Sequence, residues 1–161
     1  MDNKLYDYLQ SLLPDDLQFV DPYIDDSPVP NTDWCSMNIL NTDTIGRSAE
    51  RQGDIDKQNK TLTVYYDLNK VYKIQFDFYG ANAFNNASIY LQTLQVELDE
   101  NKSSNYYLKT IGTINNLTEL LEDTRYLKRY SFYIDLFTIE TINKTSYYID
   151  NFKYNIVVYD N

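Results

Sequence analysis

From Tyr72 to Tyr79 the chain alternates strictly. Tyr72, Ile74, Phe76 and Phe78 stand on one side, and Lys73, Gln75, Asp77 and Tyr79 on the other. A period of two is that of a strand with one buried face. Beyond Gly80 the period changes, and Ala83, Ala87, Tyr90, Leu91, Leu94 and Leu98 recur at helical spacing, which sets them on one stripe of a helix. Asn82 is the predicted N-cap, because its side-chain oxygen can accept from a free amide of the first turn. Gly80 therefore marks a sharp strand-to-helix corner, and the small side chains of Ala83 and Ala87 let the helix lie close against the sheet.

The same patterning predicts the other elements. Leu5, Leu9, Leu12 and Leu13 line one side of a short amphipathic helix over residues 3 to 13, which Pro14 cannot continue. The next segment, "PDDLQFVDPYIDDSPVPNTD", holds all four prolines and has no sustained period, so it reads as an extended arm with turns. Residues 34 to 41, "WCSMNILN", and 61 to 67, "TLTVYYD", are predicted to be paired strands. Residues 41 to 60 between them contain only Ile45, Ala49 and Ile55 as apolar residues, and the reading is a long polar loop. Residues 106 to 114 read as a short edge strand, and Leu117 to Glu122, preceded by Asn115 and Asn116, as one helical turn. In "RYLKRYSFYIDLFTIETI", Tyr130, Phe132, Ile134 and Leu136 alternate inward as a strong strand. Residues 146 to 159 alternate again, which implies a return strand after a turn at Asn143 and Lys144.

Helix, strands, helix and strands again make an α+β order: a mostly antiparallel sheet with helices packed on one face. A chain of 161 residues with 43% hydrophobic content is the size of a single domain, residues 1 to 161. One cysteine, Cys35, leaves no internal disulfide, and the first residues lack the basic and apolar regions of a signal peptide, so a reducing cytoplasm is the expected site of maturation. Residues 78 to 96 carry no formal charge, yet Asn82, Asn85, Asn86, Gln92 and Gln95 make them unfit to span a membrane.

Charge narrows the range of partners. The net charge is -10. Residues 1 to 33, the acidic N-terminal helix and arm, hold eight aspartates against Lys4 alone. No basic stripe is available to neutralise phosphates, so the composition favours repulsion of DNA over tight binding. Arg47 and Arg51 stand in the polar 41 to 60 segment as cations in an acidic chain, and are the candidate contacts with a partner or with DNA.

Catalysis is not indicated. Histidine is absent, which removes the commonest general base, the usual triad partner and the most frequent metal ligand. Cys35, inside a predicted strand, reads as a small core residue. Asp15-Asp16 and Asp25-Asp26 lack the alternate spacing and closing glutamate of a calcium loop. "FYGANAF" lacks the lysine and repeated glycines of a phosphate loop. The expectation is no catalytic residue, no metal and no cofactor.

The corner, with Gln75, Phe78, Tyr79, Gly80, Ala83, Ala87 and Leu91, resembles the central motif of the phage neck terminator (tail terminator, or head-tail joining) proteins. The likeness extends to the Pro-Val-Pro arm ahead of a strand, the long polar segment and the late "YSFYIDLFTI" strand. It implies a structural virion protein of a tailed bacteriophage that caps the tail tube and joins it to the head connector. The resemblance further implies a homo-hexameric ring, assembled in the host cytoplasm, through which genomic DNA passes without specific binding. Phe78, Tyr79, Gly80, Ala83 and Ala87 are then structural residues of the family motif. The alternatives are another tail tube or baseplate adaptor component, or a carbohydrate-binding module using the 17 tyrosines as sugar platforms.

Overall fold

The computed structural model describes residues 3–17, 19–20, 32–46, 48–100, 105–121 and 125–147. Arg47, the Asp25-Asp26 pair, the Pro-Val-Pro segment and most of the expected return strand lie outside them. The described residues form a six-stranded antiparallel sheet, a two-stranded one and two helices, an α+β fold. The elements are α1 (Asn3–Ser11), β1 (Trp34–Thr44), β2 (Ala49–Asp56), β3 (Thr61–Tyr79), α2 (Ala83–Glu100), β4 (Tyr106–Ile111), β5 (Asn115–Asn116), β6 (Glu119–Leu121), β7 (Arg125–Leu127) and β8 (Arg129–Tyr147). They group into two compact units, one of residues 1–45 and 70–138, the other of 46–69 and 139–161.

The larger unit contains the core. Antiparallel β1 and β3 pair from Trp34↔Tyr79 to Thr44↔Lys70, with a register shift between Ile39 and Asn41. On β8, β4 pairs from Tyr106↔Thr138 to Ile111↔Ile134, and β5 pairs through Asn115 and Asn116. Ile74, Phe76 and Phe78 of β3 and Phe132, Ile134 and Leu136 of β8 are buried against Ala83, Ala87, Tyr90 and Leu94 of α2 and Leu5 and Leu9 of α1. Helix α1 ends at Ser11, and the chain turns through Leu12 N–H to Leu9 C=O and Leu13 N–H to Gln10 C=O before Pro14. Aromatic rings fill the middle: Phe76 meets Tyr90 edge-on with centroids 5.1 Å apart, and Phe132 lies 5.3 Å from Phe76. Such offset and edge arrangements let several aromatic rings share one layer.

The smaller unit corrects the expected loop. Residues 41 to 60 are largely strand: β1 continues to Thr44, β2 occupies Ala49–Asp56, and only a tight turn at residues 57–60 separates β2 from β3. Antiparallel pairing runs from Ala49↔Asp67 to Asp56↔Thr61. β2 is exposed along nearly all of its length, with Ala49 and Ile55 its only apolar side chains, so no buried hydrophobic face announces it, and turn chemistry holds it instead. The Asp56 carboxylate accepts from the Gln58 and Asn59 amides and from Asn59 Nδ2, while Lys60 adopts a left-handed φ of 54°. A register shift between Gln52 and Ile55 marks a bulge at Gly53, where a Cβ would run into the Tyr65 ring.

Further expectations differ. Residues 61 to 67 and 72 to 79 are one continuous strand, β3, and residues 34 to 41 do not pair with 61 to 67 as expected: β1 pairs with the later part of β3, and 61 to 67 pair with β2. The helical turn expected after Asn116 is absent, and strands β6 and β7 pair there instead. Asn116 Oδ1 accepts from both the amide and the hydroxyl of Thr118, an Asx turn that competes with helix initiation. Asn143 and Lys144 lie inside β8 and not at a turn, because the strand ladder runs on through these exposed polar residues to Tyr147.

Candidate functional site

The corner between β3 and α2 is the most elaborately held part of the described chain. Gly80 has φ of +111°, a conformation that side-chain-bearing residues rarely adopt, and a Cβ there would collide with the Asp33 carboxylate. Its amide donates to the Lys128 carbonyl at 3.3 Å. Asn82 occupies the N-cap position, since its carbonyl accepts from Asn86 N–H at 3.0 Å. The carboxylate received by the helix start, however, comes from Asp33: both oxygens lie 3.3 Å from Asn82 N, and Asn86 Nδ2 donates to Oδ2 at 3.4 Å. An acid at this end also suits the positive pole of the helix dipole.

Phe78, Ala83 and Ala87 point into the core, essentially fully buried. Tyr79 points the other way. Its ring stacks on Trp34 with centroids 3.9 Å apart and planes 9° off parallel, and the Arg129 guanidinium lies 5.7 Å from its centroid. Arg129 Nε also donates to Asp77 Oδ1 at 3.2 Å, and Gln75 Nε2 donates to both oxygens of the same carboxylate at 3.1 Å. Asp77 is buried, as is Ser36 opposite it in the β1–β3 register. A buried carboxylate held by a cation and an amide fixes geometry, because breaking either contact strands a charge away from water. Cys35, next to Ser36, is fully buried, and burial pushes its thiol well above the usual range, so it is not a poised nucleophile.

Arg51 sits on β2 in the smaller unit. Its Nε and Nη2 donate to the two oxygens of Asp67 at 2.6 and 2.9 Å, and its guanidinium lies 5.8 Å from the Tyr65 ring centroid. Thr141 Oγ1 adds a third hydrogen bond to Asp67, at 2.6 Å. These donors hold the Asp67 carboxyl below its ordinary range. The structure thus gives Arg51 an internal partner while its side chain stays 60% exposed.

Phe78 and Tyr79 end β3, Gly80 turns the chain, and Ala83 and Ala87 lie on α2; Asp33, Trp34, Asp77 and Arg129, which meet them there, were not singled out from the sequence. Asp33 reads as the last of the acidic arm's aspartates, and nothing local reveals a bond to a residue 49 positions away. Asp77 alternates onto the face expected to be wet. Among the described residues, no helix is long and apolar enough to cross a membrane.

No curated protein matches the chain. A family model described as phage neck terminator protein matches residues 3–161, spanning both ends of the corner and nearly the whole sequence. The chain belongs to the phage neck terminator protein family.

Proposed function

We propose that this structural protein of the phage neck caps the tail tube and joins it to the head connector as a hexameric ring with a central DNA channel. The observation that carries the reading is the family match over residues 3–161, which makes the protein a component of the head-tail junction. Charge supports the channel: six copies at -10 each repel a passing phosphate backbone, so the genome slides without sticking. A fold held at its corner by several polar contacts, Asp77 buried among them, supports a rigid spacer better than a reactive site. Assembly in the host cytoplasm is part of the proposal, as is an interface role for the exposed side of Arg51.

Native mass spectrometry of the purified chain, alone and mixed with tail tubes, tests the ring. A sixfold mass in either condition is the expected result. Monomer in both conditions contradicts it.

A further inference from the structure

We infer that the two units of the chain are joined by a hinge inside the sheet, made of Leu68 and Asn69 on β3 and Ile139 and Glu140 on β8. The hydrogen-bond registers locate it. Antiparallel β1 pairs with β3 as far as Thr44↔Lys70, and β2 takes over only at Ala49↔Asp67, so neither strand pairs with Leu68 or Asn69. On β8 the pairing with β4 ends at Tyr106↔Thr138, and no other described strand continues along that edge. Between those limits the described sheet consists of β3 and β8 alone. The division of the chain falls at the same places, since the larger unit holds 70–138 and the smaller one ends a stretch at 69 and resumes at 139.

Each unit is held together by its own means up to the joint. The larger unit contains every member of the hydrophobic core cluster, from Leu5 to Leu136. In the smaller unit one carboxylate gathers three strands: Asp67 of β3 accepts from Arg51 of β2 and from Thr141 of β8. Between Asp67 and Lys70 on one strand, and Thr138 and Thr141 on the other, the sheet narrows to a two-stranded ribbon. Such a ribbon varies more in twist than a wide sheet and is marginally stable by itself. Ile139 to Tyr147 are exposed at every position, so β8 gains little stiffness from packing past Thr138. The third crossing of the chain, between β1 and β2, adds no strand: Ile45, Gly46 and Ser48 lie outside the ladders, and Gly46 takes φ of +75°. Modest φ/ψ changes at four strand residues therefore suffice to tilt one unit against the other, which is the usual make-up of a hinge. A joint of this kind lets one unit stay fixed while the other seats against what it meets at the head-tail junction. That use rests on the neck reading, and the hinge itself does not.

Double electron-electron resonance on the full chain tests it, with spin labels at exposed positions. Ile89→Cys with Glu50→Cys spans the joint, Ile89→Cys with Tyr133→Cys stays in the larger unit, and Glu50→Cys with Thr145→Cys stays in the smaller one. The native Cys35 is fully buried and takes no label. In the free chain the distance distribution across the joint is expected to be at least about twice as wide as that of either control. A spanning distribution as narrow as both controls overturns the hinge. Binding to tail tubes should narrow the spanning distribution to the width of the controls. A distribution that stays wide on the tube overturns the seating and leaves the hinge standing. Failure to bind the tube at all overturns the neck reading and the seating with it, while the width in free solution still decides the hinge.

Discussion

The hydroxyl of Tyr90, in the middle of α2, donates to the main-chain carbonyl of Leu9, in the last turn of α1, at 2.9 Å. The last carbonyls of a helix have no partner within it. Tyr90 thus supplies a donor to the end of α1 and ties the two helices together beneath the sheet, while its ring, fully buried, meets Phe76, Phe78 and Phe132.

Removing only the hydroxyl isolates that contact. Tyr90→Phe should destabilise the chain by about 0.5–1.5 kcal/mol, the net worth of one hydrogen bond, because the Leu9 carbonyl keeps the Leu12 amide, and Tyr90→Ala by about 3–5 kcal/mol, since a cavity is then added. Urea unfolding measures both. Equal, small losses for the two variants would mean that the ring is not part of the core.

Gly80→Val should cost about 1–3 kcal/mol from backbone strain alone, and more once the Asp33 carboxylate is displaced from the helix start. Ala87→Leu, at a site with no exposed surface, should cost about 1–3 kcal/mol by overpacking α2 against the sheet. Asp33→Asn tests the cap separately, and should lose about 1 kcal/mol or less, because an amide oxygen still accepts. Thermal melts within a degree or two of the parent for Gly80→Val and Ala87→Leu would show that the corner does not carry the fold.

Alkaline pH should weaken the fold in a defined window. Burial raises the Cys35 thiol and the Tyr90 phenol above their ordinary values of 9.0 and 10.0. A raised folded-state value contributes stability that is fully present below the unfolded value and is lost as pH rises above it. Stability should therefore be flat below about pH 9, then fall by about 1.4 kcal/mol per pH unit for each group as the unfolded chain ionises. Urea titrations across this range check it, and Cys35→Ala should remove the first part of the slope. On the acid side the sign reverses: Asp67, held low by Arg51 and Thr141, supports the fold above its ordinary value of 3.8 and loses that contribution as pH falls.

The β2–β3 turn offers a stabilising change. Lys60 has φ of 54° in the left-handed region, which costs a side-chain-bearing residue roughly 1–2 kcal/mol. Lys60→Gly should thus leave stability unchanged or raise it by up to about 1 kcal/mol, the entropy of the unfolded chain offsetting part of the gain. Asp56→Ala should do the opposite by releasing the Gln58 and Asn59 amides. Hydrogen exchange of residues 49–56 reports both effects, and rapid exchange already in the parent would contradict a paired β2.

The parts of the fold legible in the sequence are those where burial writes a period. Phe76, Phe78, Phe132 and Ile134 announced their strands because one face is dry, and Ala83, Ala87, Tyr90 and Leu94 announced α2 by the change of spacing after Gly80. What stayed hidden is held by polar groups. Ala49 to Asp56 bury almost nothing, so their strand rests on a main-chain ladder and on the Asp56 turn, neither of which leaves a hydrophobic trace. Asn115 and Asn116 carry the same chemistry that caps helices, and only the tertiary setting directs Asn116 to Thr118 instead. Phe78, Gly80, Ala83 and Ala87 were readable as a group by the change of period, whereas Asp33, Trp34 and Arg129 reach the corner from far along the chain. Long-range polar partners of this kind have no periodic signature.

Electron cryomicroscopy of tail tubes assembled with this protein tests the central claim most directly. The account predicts six copies closing one ring at the head-proximal end of the tube, around an open channel. Density for the chain along the tube or at its distal end, or scattered single copies with no ring, would contradict it.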